Sequence, residues 1–392
     1  MSSNVTKRTL SAGLGVGALA LLAPRASADT PFSSFAFPAT GAPTARTLPD
    51  RLGDLKNVKD FGARGNGSTD DTAAIQAAVN QGGTIYFPPG NYVLTSTVTI
   101  PPTAQIDLIG SRFSEVKGVV DGYFFDCPVW QADQFFHMQV YKLSMVNHSL
   151  TPRSGCINIT GGIVGVTIED CYFEAWRPIS SDCFGVVVRN CVFRNVDLGT
   201  GDYSNAGIKE QASIAIYNSG ATGGIYNCDI NGYYEGIRCG GYITIEMLRC
   251  EMCERGIVIG LGDPLKGSVE VQTTALIDGA QLEANNYQIV LHNSWNSQMR
   301  SVNILGDPFS VNTPGANHAG ILVEGTTVGL IMQSVYVEGT FQIGGIVFQG
   351  DFMTYGVWMG VRASLQAGSA PGWVGMGLVN RNTTTFMQCN NP

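Results

Sequence analysis

The chain has 392 residues, of which 49 are glycine, 44% are hydrophobic and only 14% are charged. This composition is typical of a turn-rich β-protein with a large buried core. The formal net charge of −8 and the lack of a basic run argue against nucleic acid as a partner. After the N-terminal segment, no stretch is long and apolar enough to span a bilayer.

Residues 1–28 have the pattern of an export signal. Two basic residues precede an apolar run from Leu10 to Ala23, and the small residues up to Ala28 form a cleavage signal. We therefore expect an exported protein, periplasmic or extracellular, after removal of a signal peptide near Ala28. Residues 29–56 are rich in Pro, Ala, Thr and Ser, which predicts an extended lead-in.

Residues 57–92 predict an N-terminal cap on a domain that runs from 57 to 392. Thr69 or Asp70 can begin a helix whose Ile75, Ala78 and Val79 form one apolar face. A strand, a Pro-Pro-Gly turn and a second strand follow. A short amphipathic helix of this kind can cover the open end of a stack of strands.

A short repeated unit dominates residues 143–348. Each unit is a small or apolar residue, any residue and an apolar residue, beginning at Leu143, Cys171, Cys191, Cys228, Cys250, Ala280, Val302 and Val335. An isoleucine alternates with the units, at Ile157, Ile179, Ile214, Ile237, Ile257, Ile289, Ile321 and Ile346. The distance from each isoleucine to the start of the next unit is 12 to 14 residues in six of seven cases. The distance from the start of each unit to the isoleucine that follows it varies from 7 to 23 residues. A constant interval beside a variable one is typical of a solenoid with insertions at one corner.

The alternation inside each repeat has period two, so the repeats are built from strands. We predict an all-β fold, a single-stranded right-handed parallel β-helix of about 8–10 coils, with three short strands per coil. Asp170, Asn190 and Asn227 each precede a unit and tolerate a left-handed backbone, which predicts a sharp corner there.

The stretch from Val58 to Tyr92 closely resembles the entry motif of the pectate-lyase-like superfamily. This superfamily includes polysaccharide lyases, glycoside hydrolases, alginate epimerases and phage tailspikes. The resemblance implies a β-helix whose partner is a polysaccharide or oligosaccharide. The catalytic signatures of the polygalacturonases, alginate epimerases and pectate lyases are missing from the coils, so the resemblance assigns no catalytic residue.

Ten cysteines in an exported chain raise the question of disulfides. Cys171, Cys191, Cys228 and Cys250 occupy the same predicted inward position, where cysteine acts as a small hydrophobe. We therefore expect a mainly unbridged ladder, although the coil spacing is compatible with a bridge. Cys250 and Cys253 lack histidine partners, so we predict no zinc site.

Two insertions, at 195–212 and 305–318, leave the same corner of the solenoid and predict the walls of a groove. Its floor is then formed by the coils at 228, 250 and 280. The candidate substrate-binding side chains on floor and walls are Tyr233, Tyr234, Arg255, Glu283, Asn285, Tyr287, His292, Lys209, Glu210 and His318, with Asp202 and Asp307 also on the walls. Tyrosine rings interleaved with carboxylates are suited to sugars.

Glu235 and Glu254 are the candidate catalytic carboxylates. They lie two and three residues before an isoleucine, so we expect them about one coil apart, as in a retaining pair of acid and nucleophile. Arg238 is the candidate for neutralising charge, and the alternative is that it only pairs with Glu235. The alternative is that both carboxylates are solvated corner residues. Asp229 and Glu251 can bind calcium or be solvated, and we favour solvation.

These candidates predict an enzyme that cleaves glycosidic bonds in a polysaccharide, and the acidic composition favours hydrolysis or transfer. One alternative is a lyase acting by β-elimination, in which arginine or calcium neutralises a uronate carboxylate. No other cofactor is expected. A second alternative is a non-catalytic carbohydrate-binding or spike-like β-helix, and a homotrimer is a further expectation since trimers are common among the spike-like proteins.

Overall fold

The computed structural model describes residues 36–101, 105–128, 135–161, 163–196, 213–220, 222–261, 273–306, 319–365, 372–374 and 384–389. The predicted export signal lies outside these residues. No helix in the described ranges is long and apolar enough to cross a membrane. The chain divides into two compact units, Met1–Asp54 and Leu55–Pro392.

In the first unit, the described residues form a small hairpin. Strands Ala36–Pro38 and Ala45–Thr47 pair antiparallel, and a short helix, Leu48–Leu52, follows. The Thr47 side chain caps this helix by accepting a hydrogen bond from the Asp50 backbone N–H. The segment that the sequence predicts as extended thus contains local structure.

The second unit is a stack of coils with three parallel sheets, here called faces 1, 2 and 3 in the order in which each coil visits them. Face 1 has 13 strands: Leu55–Asn57, Gly83–Phe87, Ile106–Gly110, Phe135–Tyr141, Ile163–Glu169, Phe184–Arg189, Thr222–Tyr226, Tyr242–Glu246, Thr274–Asp278, Gln298–Arg300, Ile331–Gln333, Val357–Met359 and Thr385–Met387. Face 2 has 12: Asn66–Asp70, Gly90–Leu94, Ser114–Gly118, Ser144–Asn147, Tyr172–Glu174, Val192–Arg194, Asp229–Asn231, Arg249–Glu251, Gln281–Glu283, Asn303–Gly306, Tyr336–Gly339 and Arg362–Leu365. Face 3 has 11: Val98–Thr99, Tyr123–Cys127, Gly155–Ile159, Arg177–Ser181, Ile214–Asn218, Glu235–Cys239, Arg255–Ile259, Tyr287–His292, Ala319–Val328, Gly344–Thr354 and Trp373–Val374.

This arrangement is the predicted parallel β-helix. With 13, 12 and 11 strands described in its faces, the stack is longer than the 8–10 coils that the repeats predict. The additional coils lie at both ends, where the sequence does not show the repeated unit. A 3-10 helix, Val58–Phe61, and the predicted helix, Thr72–Val79, are both present near the N-terminal end. Ile75, Ala78 and Val79 are buried, and the capping role of this helix stays a prediction.

The core consists of side chains stacked in register from coil to coil. On face 3 the isoleucines pair as predicted with one exception, because Ile216 rather than Ile214 aligns with Ile179 and Ile237. Ala215 and Ile216 both belong to the buried core, whereas Ile214 pairs with Glu235 at the start of the strand. The spacing of isoleucines alone does not distinguish the two positions. The predicted corner is confirmed: Asp170, Asn190 and Asn227 have φ of 54°, 54° and 50°.

All ten cysteines are free, which agrees with the predicted unbridged ladder. Only three of the four predicted members stack, since the pairs Tyr172↔Val192 and Val192↔Asp229 align Cys171, Cys191 and Cys228. Cys250 instead aligns with Ile230. The repeated unit on that coil therefore begins at Leu248. The predicted start at Cys250 was wrong by two residues, which is one period of the strand alternation.

Asn147 ties two coils together and yields a stability prediction. Its side chain is fully buried, accepts from the Val120 and Ser149 N–H groups, and donates to the carbonyls of Val120, Gly122 and Gly155 at 2.9–3.1 Å. Asn147→Ala leaves buried backbone groups without partners, so we expect a loss of about 3 kcal/mol in unfolding free energy. Guanidinium unfolding followed by circular dichroism measures it. The exposed Asn303 is the control, and equal unfolding midpoints for the two alanine variants would contradict the prediction.

Candidate functional site

The outward side of face 3 carries the candidate site. Its strands lie in register, so that residues far apart in sequence form rows that run along the stack. The pairs Ile214↔Glu235, Glu235↔Arg255 and Arg255↔Tyr287 define one row. Three residues further along each strand, Tyr217, Arg238 and Val258 follow one another in a second row.

Glu235 is held by two arginines. Its side chain has no exposed surface, and both carboxylate oxygens accept hydrogen bonds from Arg238, itself 95% buried. The Arg255 Nη1 atom lies 3.5 Å from Glu235 Oε1. A buried carboxylate is tolerated only when it is paired in this way. Glu235 thus contacts both guanidinium groups and has no exposed surface of its own.

Glu254 does not occupy the strand position beside Glu235. The register places Arg255, not Glu254, directly beside Glu235, because Glu254 lies three residues before its isoleucine and Glu235 only two before its own. The half-buried Glu254 carboxylate accepts a hydrogen bond from the Asn286 amide. The arrangement thus differs from the symmetric carboxylate pair that the sequence predicts.

Arg255 is an accessible cation of the site, with 31% of its side chain exposed. Its guanidinium carbon lies 5.8 Å from the centre of the Tyr234 ring and 6.0 Å from that of Tyr287, so cation–π contacts fix its orientation. Burial, with the nearby Glu254 charge, raises the pKa of the Tyr287 hydroxyl. Tyr287 therefore keeps its proton at neutral pH and can act as a proton donor.

The cluster extends toward the N-terminal coils through residues that the sequence analysis did not select. The Arg177 guanidinium lies 5.0 Å from the centre of the Tyr217 ring, and the register places Tyr217 beside Arg238. Further along, the Asn158 amide donates to the Asp126 carboxylate at 2.7 Å. Tyr217 occupies the strand position equivalent to Arg238, but the predicted alignment of Ile214 with Ile237 concealed this equivalence.

Tyr233 and Asn285, two predicted binding residues, are buried and structural. The Tyr233 hydroxyl donates a hydrogen bond to the Arg194 carbonyl. The Asn285 side chain accepts a hydrogen bond from the Cys253 N–H at 2.7 Å and donates one to the Cys250 carbonyl at 3.0 Å. Both side chains point inward at a corner, where the chain bends and the strand alternation is interrupted. Because both side chains are buried, the structure does not favour their predicted roles as sugar-binding residues.

Other predicted residues lie outside the cluster or outside the described ranges. Glu283 lies beside Glu251 in the strand register of face 2. His292 is the last residue of its face 3 strand, and its Nδ1 atom lies 3.6 Å from the Glu324 carboxylate. The predicted wall residues Lys209, Glu210, His318, Asp202 and Asp307 fall outside the residues that the structure describes.

The carboxylates considered for calcium form ion pairs on face 2. Asp229 contacts Arg194 at 2.7 Å and Arg249 at 3.7 Å, while Glu251 contacts Arg249 at 2.6 Å. They are thus paired with arginines rather than only solvated. Across the described ranges, no group of three or more His, Cys, Asp or Glu side chains is placed to hold a metal ion.

Two curated proteins of Azotobacter vinelandii share sequence with the chain. Over 78 residues, 17% of this chain, it is 61% identical to alginate lyase 7 and 41% identical to mannuronan C5-epimerase AlgE3. The matching part is 9% of the length of the first protein and 4% of the second, so the chain spans only a small part of these relatives.

Among solved structures, the chain is similar to the A-module of mannuronan C-5 epimerase AlgE4 from Azotobacter vinelandii. The TM-score is 0.63 at 16% identity, and the likeness covers 86% of this chain and 95% of that one. At this identity the likeness shows the fold alone. The model of the family described as rhamnogalacturonase A/epimerase, pectate lyase-like matches residues 55–264, more than half of the 392 residues. Together with the entry motif from Val58 to Tyr92, this match shows that the chain belongs to the rhamnogalacturonase A/epimerase, pectate lyase-like family.

Proposed function

We propose that the chain is an enzyme that removes the C5 proton of a uronic acid unit in an acidic polysaccharide, leading to β-elimination or epimerisation. The observation that carries this proposal is Arg255, whose partly exposed side chain lies within cation–π distance of the Tyr234 and Tyr287 rings. The names of the sequence relatives, an alginate lyase and a mannuronan epimerase, support the same substrate class. Hydrolysis by a carboxylate pair is less well supported, because Glu235 is buried and bound by Arg238.

Arg255 is suited to neutralise the carboxylate of the substrate. The C5–H bond of a uronate becomes acidic enough to break only when the charge on the neighbouring carboxylate is offset. Arg238 already satisfies both oxygens of Glu235, so most of the five N–H donors of Arg255 are available to a ligand. A planar guanidinium can bind a carboxylate through two parallel hydrogen bonds.

Glu254 and Tyr287 supply the proton transfers in this proposal. The Glu254 carboxylate takes the C5 proton. In elimination, the C5–H electrons form the C4–C5 double bond, the C4–O bond breaks, and Tyr287 gives its proton to the departing oxygen. In epimerisation, Tyr287 returns a proton to C5 from the opposite side of the ring. The raised pKa of Tyr287 keeps it in the required protonated form.

The role of Tyr287 predicts a specific pH profile. A group that must be protonated supports full activity below its pKa, and activity falls as the pH rises through that value. Because the Tyr287 pKa is raised above the ordinary tyrosine value of about 10, the alkaline limb should lie above pH ~10. Tyr287→Phe should lower kcat by about 100-fold and remove this limb. Initial rates against pH test this, with Tyr336→Phe as the control. An unchanged profile in Tyr287→Phe would contradict the assignment.

A substrate panel tests the proposal itself. Mannuronan, guluronan and polygalacturonate are compared with neutral glucans, following reducing ends, the ultraviolet absorbance of unsaturated products and the proton NMR spectrum of the polymer. Absorbance or a change of C5 configuration on a uronan, with no reaction on neutral glucans, would support the proposal. Reducing ends without absorbance would indicate hydrolysis. Binding without any product would indicate a carbohydrate-binding β-helix. Either result would overturn the proposal.

A further inference from the structure

A second concave surface lies at the corner between faces 1 and 2, away from the outward side of face 3. A cavity of about 600 Å³ is lined there by residues of three successive coils, and we call it the corner cavity: Gly110, Ser111, Arg112, Ser114, Tyr141, Lys142, Leu143, Ser144, Asp170 and Tyr172. A smaller depression of about 200 Å³ lies on face 1 and shares Tyr141 with it. Together they form a continuous surface on the N-terminal half of the solenoid.

The local backbone explains why polar side chains line the corner cavity. Lys142 and Asp170 both occupy the left-handed corner position, with φ of 55° and 54°, and both are exposed. On the preceding coil, Gly110 lies so close to the next coil that a Cβ atom would be 2.2 Å from the Lys142 carbonyl oxygen. Glycine at this position therefore permits the close stacking of the coils that form the cavity.

The cavity wall combines two cations with aromatic rings. The Lys142 ammonium lies 4.5 Å from the centre of the Tyr141 ring, and the exposed Arg112 guanidinium lies 6.0 Å from that of Phe113. Within the described part of the chain, neither Arg112 nor Lys142 has a carboxylate within ion-pair distance. A hydrogen bond with Tyr141 raises the pKa of Lys142, so its charge persists at neutral pH. The charges of Asp170 and Glu169 act on Lys142 from beyond ion-pair distance, so among the described residues both cations can still contact an anionic ligand.

The neighbouring groups are those that recognise sugars. Tyr141 and Tyr172 present partly exposed rings, on which the apolar face of a sugar can stack. Asp170 can accept hydrogen bonds from sugar hydroxyls, as can Gln139 and Thr167 in the adjoining depression. The volume of about 600 Å³ is within the range of small-molecule sites.

We infer that the corner cavity is a second, non-catalytic saccharide site that binds a carboxylate-bearing sugar unit through Arg112 and Lys142. This inference rests on the proposed function for its choice of polymer, since an enzyme acting on a uronan meets many such units along one chain. Binding at the corner cavity and at face 3 together raises the effective concentration of the polymer at the active site.

The test uses the full chain and the double variant Arg112→Ala/Lys142→Ala. Affinity for mannuronan polymer is measured by isothermal titration calorimetry, and turnover is measured on short mannuronan oligosaccharides. We expect polymer affinity to fall at least tenfold while oligosaccharide turnover stays unchanged. The control is Arg362→Ala, an exposed arginine on face 2 in the C-terminal coils. All substituted side chains are exposed, so the unfolding midpoints should match wild type.

The outcomes separate this inference from the proposed function. Unchanged polymer affinity in the double variant would overturn the inference, and so would an equal affinity of wild type for a neutral glucan. Loss of oligosaccharide turnover in the double variant would also overturn it, because the cavity would then belong to the catalytic site. If wild type binds mannuronan without turning it over, and the double variant loses that binding, the second site is supported while the proposed catalysis fails.

Discussion

Replacing Glu235 with glutamine is expected to destabilise the β-helix by about 3 kcal/mol, because it breaks a buried ion pair by removing one partner. Glu235 is completely buried and both of its oxygens are bonded to Arg238. The amide has nearly the same shape but only one acceptor oxygen and no charge. The Arg238 guanidinium then stays buried without its counter-charge, which is the origin of the loss.

Chemical unfolding in guanidinium chloride, followed by circular dichroism, measures this effect. Asp229→Asn is the matched control, because Asp229 also pairs with an arginine but is 32% exposed. Exposed pairs contribute less than about 1 kcal/mol. The double variant Glu235→Gln/Arg238→Met removes the unpaired charge and should recover part of the lost stability. If Glu235→Gln unfolds like wild type but is inactive, Glu235 is a catalytic carboxylate and the structural role assigned here is wrong.

Arg255→Ala is expected to lower kcat/KM on a uronan by about 100- to 1,000-fold, the usual effect of removing one charged or hydrogen-bonding group that stabilises a developing negative charge. The side chain is 31% exposed and contacts Glu235 only at 3.5 Å, so the fold should be nearly unaffected. Arg255→Lys keeps the charge but not the planar fork, and we expect it to recover only part of the activity.

Initial rates on the responsive uronan measure the Arg255 effect, with unfolding midpoints taken in parallel. Arg300→Ala is the control, since Arg300 is exposed at the end of a face 1 strand and should leave the rate unchanged. An active Arg255→Ala enzyme would remove the residue on which the proposed function depends.

The sequence predicted the fold well because a parallel β-helix repeats the same physical constraint on every coil. Apolar alternation of period two identified the stacked strands, and Asp170, Asn190 and Asn227 identified a corner through their tolerance of positive φ. The errors at Ile214 and Cys250 are shifts by two residues. At Cys250 the shift keeps the side chains on the same side of the strand, so only the coil-to-coil register resolves it. At Ile214 the simple alternation is interrupted, because the neighbouring residues Ala215 and Ile216 are both in the core.

The site was predicted less well because it depends on register to within one residue. Glu254 and Arg255 are neighbours in sequence, yet only Arg255 lies beside Glu235. Tyr233 and Asn285 lie at corners, where alternation no longer indicates which side chains point inward. The pairing that brings Tyr217 beside Arg238 joins neighbouring coils, and no short motif marks it.

Exchange of the C5 proton tests the central claim most directly. The wild-type protein and Arg255→Ala are incubated with mannuronan in deuterium oxide, and the products are analysed by NMR and mass spectrometry. The proposal predicts that wild type releases the C5 proton, giving either deuterium at C5 or an unsaturated C4–C5 product, and that Arg255→Ala does so at least 100-fold more slowly. Cleaved mannuronan that retains its original hydrogen at every C5 position would contradict it.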